Sequence, residues 1–216
     1  MKIFKFGGAS VKDADGVRNI LSVLKHTGFK DTFIVVSAMG KTTNALEKVV
    51  QSYFENNEQL PKKFEAVRSN HHEIIEGLFT EDKALVIEKI DTLFNEALSF
   101  LSGNAVHNYS LVYDQVVSIG ELVSSTIISC YLRNEDIENT WLDARKCIKT
   151  DNYYRDANLD WEKTKTEILT MVKGKSTLIS QGFIGSAPNG MTTTLGREGS
   201  DYSAAIFAYA LVADSV

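Results

Sequence analysis

The chain has 216 residues, 44% of them hydrophobic and 24% charged, with two prolines. At roughly 150 residues per domain this is one large domain or two small ones, long enough to bury a core, and its composition excludes a long disordered segment. Twenty-three Lys+Arg against twenty-eight Asp+Glu give a net charge of -5, which argues against nucleic acid as the main partner.

The two cysteines, Cys130 and Cys147, make no disulfide framework and no metal spacing. No run of about 18 consecutive apolar residues is present, so no membrane partner is expected. MKIFKFGG lacks the apolar core of a signal peptide, and the expected location is cytoplasmic.

Ile3, Phe4 and Phe6 run into Gly7-Gly8 and read as a buried strand. Val17, Ile20, Leu21 and Leu24 follow at helical spacing, with Gly28 at the stop. FIVVSAMG (33–40) is a second buried strand entering a loop. Strand, helix, strand with both strands apolar throughout is a βαβ unit of a covered parallel sheet. Residues 42 to about 133 are mostly helical, punctuated by Pro61. The clearest helix spans 107–133, with one apolar stripe of Val112, Val116, Ile119, Val123, Ile127 and Tyr131. NTWLDAR (139–145) is a candidate return to the sheet, 161–173 a helix and STLISQGF (176–183) a third strong strand. GFIGSAPNGMTTTLG reads as a hairpin turning at Pro188-Asn189-Gly190, and a final helix spans 200–212. The expected fold is α/β, three layers (αβα) around a mostly parallel sheet, in one domain spanning 1–216 with a helical insertion at about 45–133.

Four loops at element ends carry candidate chemistry: KFGGAS (5–10), SAMGKTTN (37–44), SIGE (118–121) and TTTLGREGSD (192–201). In open α/β sheets ligands gather beyond the carboxyl ends of strands. Lys5 precedes Gly7 and Gly8, whose missing side chains let backbone N–H groups approach a phosphate. A lysine there can neutralise a transferring phosphoryl group, or simply reach solvent. Gly40-Lys41-Thr42 mimics a P-loop, but the required first glycine would fall at Val35, inside the strand. Ser37, Thr42 and Thr43 remain as hydroxyls for an anion or as helix caps. Glu121 lies off the apolar stripe, about 200° round the helix from Ile119. It suits an ammonium group, or is one more solvated glutamate. In GREGSD a glycine turn leads into a helix N-terminus suited to an anion. Arg197 adds a fork for a carboxylate, and Asp201 suits the first turn and could position a lysine. GREG also mimics the GXXG loop of an RNA-binding module, against which the acidic balance counts. His71 and His72, about 100° apart on a helix, do not chelate together, so no metal site is expected.

Taken together the four loops resemble the aspartate kinase family, within the amino-acid kinase fold. KFGGAS is similar to that family's KFGGTS, with Ala9 in place of Thr, and SAMGKTTN to its SAMGxTT(D/N). SIGE is similar to S-x-GE, and GFIG with TTTLGREGSDYSAA to GFIG…TTTLGRxGSDYSA. The resemblance runs end to end and in order. Glu198 departs from the glycine or asparagine of that pattern and brings a negative charge near the presumed anion site.

The resemblance implies ATP-dependent phosphorylation of the β-carboxylate of L-aspartate, the entry to lysine, threonine and methionine synthesis. It implies L-aspartate and Mg-ATP as co-substrates, no tightly bound cofactor and a homo-oligomer. By the family pattern Lys5 contacts the transferring phosphoryl group with help from Gly7 and Gly8, and Asp201 organises Lys5. Ser37 and Thr43 hold the reacting carboxylate, Glu121 the α-ammonium, and Arg197 with Ser200 the α-carboxylate. In the family the catalytic domain continues past the last helix into the nucleotide half. The expectation is therefore a truncated catalytic domain, inactive alone. The alternatives are another amino-acid kinase, of the acetylglutamate or glutamate type, and a non-catalytic amino-acid-binding module.

Overall fold

The computed structural model describes all 216 residues. Four parallel strands form the central sheet: β1 (Lys2–Phe6), β2 (Thr32–Val36), β3 (Thr140–Leu142) and β4 (Thr177–Gln181), in the order β1-β2-β4-β3. All five residues of β2 and of β4 are buried, as strands covered on both faces require. The hairpin is real but separate: β5 (Ile184–Ser186) pairs antiparallel with β6 (Thr192–Thr194), and Gly190 supplies the positive φ its turn needs.

The helices are α1 (Ala14–Thr27), α2 (Thr42–Phe54), α3 (Leu60–Leu78), α4 (Lys83–Gly103), α5 (Tyr109–Val117), α6 (Ile119–Asn134), α7 (Ala144–Cys147), α8 (Trp161–Val172) and α9 (Gly199–Leu211). A 3₁₀ turn, Gly8–Val11, follows β1. Asp13 caps α1 by accepting from the Gly16 amide at 2.8 Å, and Pro61 stands in the first turn of α3, where its missing N–H costs nothing.

The sheet is the middle of three layers. Phe33 on β2 stacks on Phe207 of α9 with ring centroids 4.1 Å apart. Parallel register puts Ile3 beside Phe33 and Lys5 beside Val35, so Lys5 also faces α9. On the opposite face Gln181 of β4 donates to Ser125 Oγ of α6 at 2.6 Å and accepts from the Ala144 amide at 2.8 Å. Behind α6 lies α4, and one core of 51 buried residues joins all layers.

One expectation needs correction. The single helix expected over 107–133 is two, α5 and α6, separated at Ser118. The Ser118 hydroxyl donates back to the Gln115 carbonyl at 3.2 Å, and such local bonding competes with the helical ladder. The combined stretch Tyr109–Asn134 is long and apolar enough to cross a membrane, yet 89% of its most apolar window is buried inside the protein, as befits a core helix. The second strand ends at Val36, where the expected loop begins. Residues 37–40 leave the sheet as a loop, with Gly40 at φ +56.

The histidines serve separate partners. His71 is buried against the Val67 carbonyl, while His72 meets Asp91 at 2.9 Å. Both cysteines are unpaired, and burial pushes the Cys147 thiol up to about 12, leaving it unreactive.

Candidate functional site

β1, β2 and β4 run in parallel and end on one side of the sheet, where a cleft of about 450 Å³ opens. Its wall takes Lys5 from the end of β1, Gly8 from the 3₁₀ turn, Ser37 from the loop between β2 and α2, and Thr43 from the first turn of α2. Glu121 comes from α6, and Arg197, Ser200 and Asp201 from the start of α9. Of the residues singled out for ligand binding, Gly7 and Thr42 do not line this cleft; a Cβ on Gly7 would lie 3.3 Å from Lys5 Nζ.

Lys5 is three-quarters buried, and its Nζ sits 2.9 Å from Asp201 Oδ1. This pair bridges the last turn of β1 and the first turn of α9, and fixes where the ammonium points. Gly8 allows a close approach: a Cβ there would lie 2.9 Å from the Ala38 carbonyl oxygen and 3.0 Å from that of Gly40. The Gly40 amide donates to the Gly8 carbonyl at 2.9 Å, which ties the two loops together.

Glu121 is only 3% exposed, so neither solvation nor a place off the core describes it. The helical wheel misleads here because α6 lies between the sheet and α4, with twelve of its sixteen residues buried. A residue off the main stripe therefore meets the cleft rather than bulk water. One carboxylate oxygen, Oε2, is buried with no hydrogen-bond partner. Burial raises the Glu121 carboxyl well above the ordinary glutamate value, against the opposing pull of the Ala38 backbone and the Lys5 ammonium. Gly120 beside it lets α6 approach α2, since a Cβ there would meet Thr42 Cγ2 at 2.9 Å.

Arg197 is 95% exposed at the mouth, with Glu198 at 4.0 Å as its only ionic neighbour. Glu198 is itself 77% exposed, so the charge that departs from the expected pattern points to solvent. It occupies the N-cap of α9 in a left-handed conformation, with no side-chain capping bond.

Three further residues line the cleft that the sequence did not flag: Tyr113, Arg155 and Phe183. The Arg155 guanidinium lies 4.3 Å from the Tyr113 ring centroid and 3.6 Å from Glu47. Its backbone N–H donates to both oxygens of Asp114, at 3.0 and 3.2 Å, and Asp114 also accepts from the amide and hydroxyl of Thr194. Burial pushes the Asp114 carboxyl up to about 6, with those hydrogen bonds acting in the other direction. An acid inside the apolar run of residues 109–117 was the available signal, since a buried charge is kept only where donors meet it.

Backbone strain is concentrated here as well. Of eight non-glycine residues with positive φ, four are Asn or Asp, which tolerate it. Three of the other four, Arg155, Phe183 and Glu198, line the cleft. Such strain persists where surrounding structure over-determines it, and it gathers at ligand sites.

The cleft thus sets three cations, Lys5, Arg155 and Arg197, among three acids, Glu121, Glu198 and Asp201. This pattern complements a zwitterion that carries an extra negative group. The hydroxyls of Ser37, on the loop between β2 and α2, and of Thr43, in the first turn of α2, stand beside them.

The sequence matches the amino acid kinase family over residues 1–216. Lysine-sensitive aspartokinase 3 of Escherichia coli (strain K12) is 33% identical over 219 residues, covering 99% of this chain and 47% of the relative. The crystal structure of E. coli aspartokinase III in complex with lysine and aspartate superposes with a TM-score of 0.88 at 30% identity, over 99% of this chain and 47% of that one. Its complex with aspartate and ADP gives 0.85 at 30% identity, with the same coverage. The chain spans about half the length of the relatives it matches.

Proposed function

Because the chain belongs to the amino acid kinase family, we propose that it is the substrate-binding part of an aspartate kinase, which transfers the γ-phosphoryl group of ATP to the β-carboxylate of L-aspartate. The observation that carries the reading is the buried, unpartnered Oε2 of Glu121 in a cleft otherwise furnished for anions. A buried acceptor without a donor is costly, and an ammonium group on the ligand removes that cost. The solved complex of the E. coli relative with aspartate and ADP supports the same assignment.

The chemistry required is modest. The acceptor carboxylate has an ordinary pKa of about 3.9, so it is already a nucleophile at neutral pH and needs no general base. Catalysis is then positioning plus charge neutralisation. Glu121 holds the α-ammonium, Arg197 with Ser200 the α-carboxylate, and Ser37 and Thr43 orient the β-carboxylate. Lys5, aimed by Asp201, stabilises charge on the phosphoryl oxygens, with the glycine turn at Gly7 and Gly8 beside it. Arg155 adds a second guanidinium to the wall. Mg²⁺ arrives with the nucleotide. The product, an acyl phosphate of aspartate, fits the entry to lysine, threonine and methionine synthesis, in the cytoplasm and in a homo-oligomer. The nucleotide half would come from outside these 216 residues.

Glu121 also ranks the alternatives. An acetylglutamate kinase would present an amide in place of the ammonium and offer Oε2 a single neutral donor, whereas a glutamate kinase would keep the ammonium on a longer acid. A non-catalytic binding module would bind aspartate and never form ADP. Calorimetry with aspartate, succinate, glutamate and N-acetylglutamate tests the reading. Succinate, which lacks only the ammonium, should bind at least ~10-fold more weakly than aspartate, the value of one charge-assisted hydrogen bond. Equal affinity for the two overturns the assignment.

A further inference from the structure

On the far side of the loop between β2 and α2 lies a second cavity, of about 400 Å³, unconnected with any role considered above. Lys12, Lys41, Lys48 and Lys63 all line it, and none of its eleven lining residues is acidic. Met39, Ala45, Ala66 and Val67 supply apolar lining, and Asn70 is a further polar group. Four lysines lining one cavity are unexpected in a chain of net charge -5.

Local structure does not neutralise them. Lys12 has Asp13 at 3.8 Å, a long and exposed pair. Lys63 donates to the Ser52 hydroxyl at 2.7 Å, a neutral partner, and Lys41 and Lys48 make no ion pair. The same cavity receives the first turn of α2 through Lys41, Thr42 and Ala45. That helix end has no side-chain cap and no acid in its first turn, and its N-cap residue is Lys41. The Thr42 hydroxyl is turned away from capping, donating to the Met39 carbonyl at 2.6 Å. A helix N-terminus carries about half a positive charge and normally attracts acids. Here it is surrounded by cations instead. Like charges so arranged repel unless an anion sits among them.

We propose that this cavity is a binding site for a small polyanion of the phosphate class, one that carries at least two negative charges. Four lysines without a buried ionic partner suit phosphate oxygens, and the positive end of α2 lies beside them. The volume admits a compact molecule, not a polymer. Gly40 lines both this cavity and the cleft, so the ligand would bear on the loop that carries Ser37 and leads into Thr43 on α2.

Inorganic pyrophosphate is the probe, with citrate as the carboxylate counterpart. Pyrophosphate is titrated by calorimetry into the whole 216-residue chain, the Lys41→Gln/Lys48→Gln variant and the Lys5→Ala variant. Lys41 and Lys48 are exposed, so the double variant should keep its fold, and thermal melting checks this. The expected result is that pyrophosphate binds the wild type, binds Lys5→Ala equally, and binds the double variant at least ~10-fold more weakly, the loss of two charge-assisted contacts. Amide shifts in the wild-type NMR spectrum should fall on Gly40, Lys63 and Asn70, a readout that depends on no variant. Absence of binding at millimolar pyrophosphate, or shifts confined to the cleft, would overturn the site. Loss of binding in Lys5→Ala would likewise assign the anion to the cleft. Citrate binding more tightly than pyrophosphate would overturn the phosphate class. None of these outcomes depends on whether aspartate is the cleft's substrate.

Discussion

Glu121→Gln separates the cost of the buried carboxylate from its use. The substitution is nearly isosteric and leaves a neutral group in place of one that can ionise. In the folded chain burial raises the carboxyl well above its ordinary value. A raised acid favours folding in its neutral form. Its contribution is complete below the unfolded value of about 4.3 and is lost as pH rises through the folded value. At pH 7 the unfolded chain ionises Glu121 freely while the folded chain must hold it protonated or desolvated. Glu121→Gln should therefore be more stable than wild type at pH 7, with a higher Tm. The difference should shrink towards pH 4. Aspartate binding should move in the opposite sense, weaker by about 10- to 100-fold, because the ammonium loses a charged acceptor. In the wild type, aspartate binding below the raised value should release a proton. Thermal melts from pH 4 to 8 and calorimetry in two buffers of different ionisation enthalpy measure both effects. A stability difference independent of pH, or aspartate affinity unchanged in the Gln variant, would refute the reasoning.

Three other outcomes follow from the site. Lys5→Ala should lower turnover at least ~10²-fold with a smaller effect on aspartate affinity, since a well-placed electrostatic group contributes about 3–4 kcal/mol to the transition state; a coupled ADP assay, on the shortest polypeptide beginning with these residues that turns over, decides it, and wild-type turnover removes Lys5 from the mechanism. Asp114→Ala should leave the Arg155 and Thr194 amides without their acceptor, at about 1–3 kcal/mol each, and so speed hydrogen exchange in residues 151–158; unchanged exchange there would show that Asp114 does not hold the loop. The 216-residue chain itself should form no detectable ADP from aspartate and Mg-ATP, because in-line positioning of the nucleotide can supply about 7–11 kcal/mol of the barrier reduction; turnover in a coupled ADP assay would refute this.

The parts of the fold written in the sequence are those set by a single periodicity. The continuous apolar runs at β2 and β4 mark a covered sheet, and Val17, Ile20, Leu21 and Leu24, which set the inward stripe of α1, are all buried. Glycine loops at strand ends placed the cleft, because parallel strands bring their carboxyl ends to one edge regardless of separation in the chain. The break at Ser118 was not legible, since it depends on a hydroxyl choosing the Gln115 carbonyl over solvent. Nor was the burial of Glu121, which one helical wheel cannot give when a helix is packed on several sides.

Arg155 marks the deeper limit. It stands in a polar stretch, DNYYRDAN, with no periodicity and no motif. What places it is Asp114, 41 residues earlier, whose buried carboxylate receives its backbone amide and holds a left-handed φ of +74 that arginine disfavours. Tyr113, the residue next to Asp114, then gives the guanidinium its stacking surface. Two neighbours on α5 thus divide the work: one fixes the backbone of the loop and the other its side chain. Neither contact is local in sequence, and each rests on a tertiary fold already formed. A cleft assembled in this way is legible in sequence only at the residues that lie on regular elements or their glycine ends. The cation contributed by the irregular loop becomes visible when the acid inside the apolar helix is asked what it is buried against.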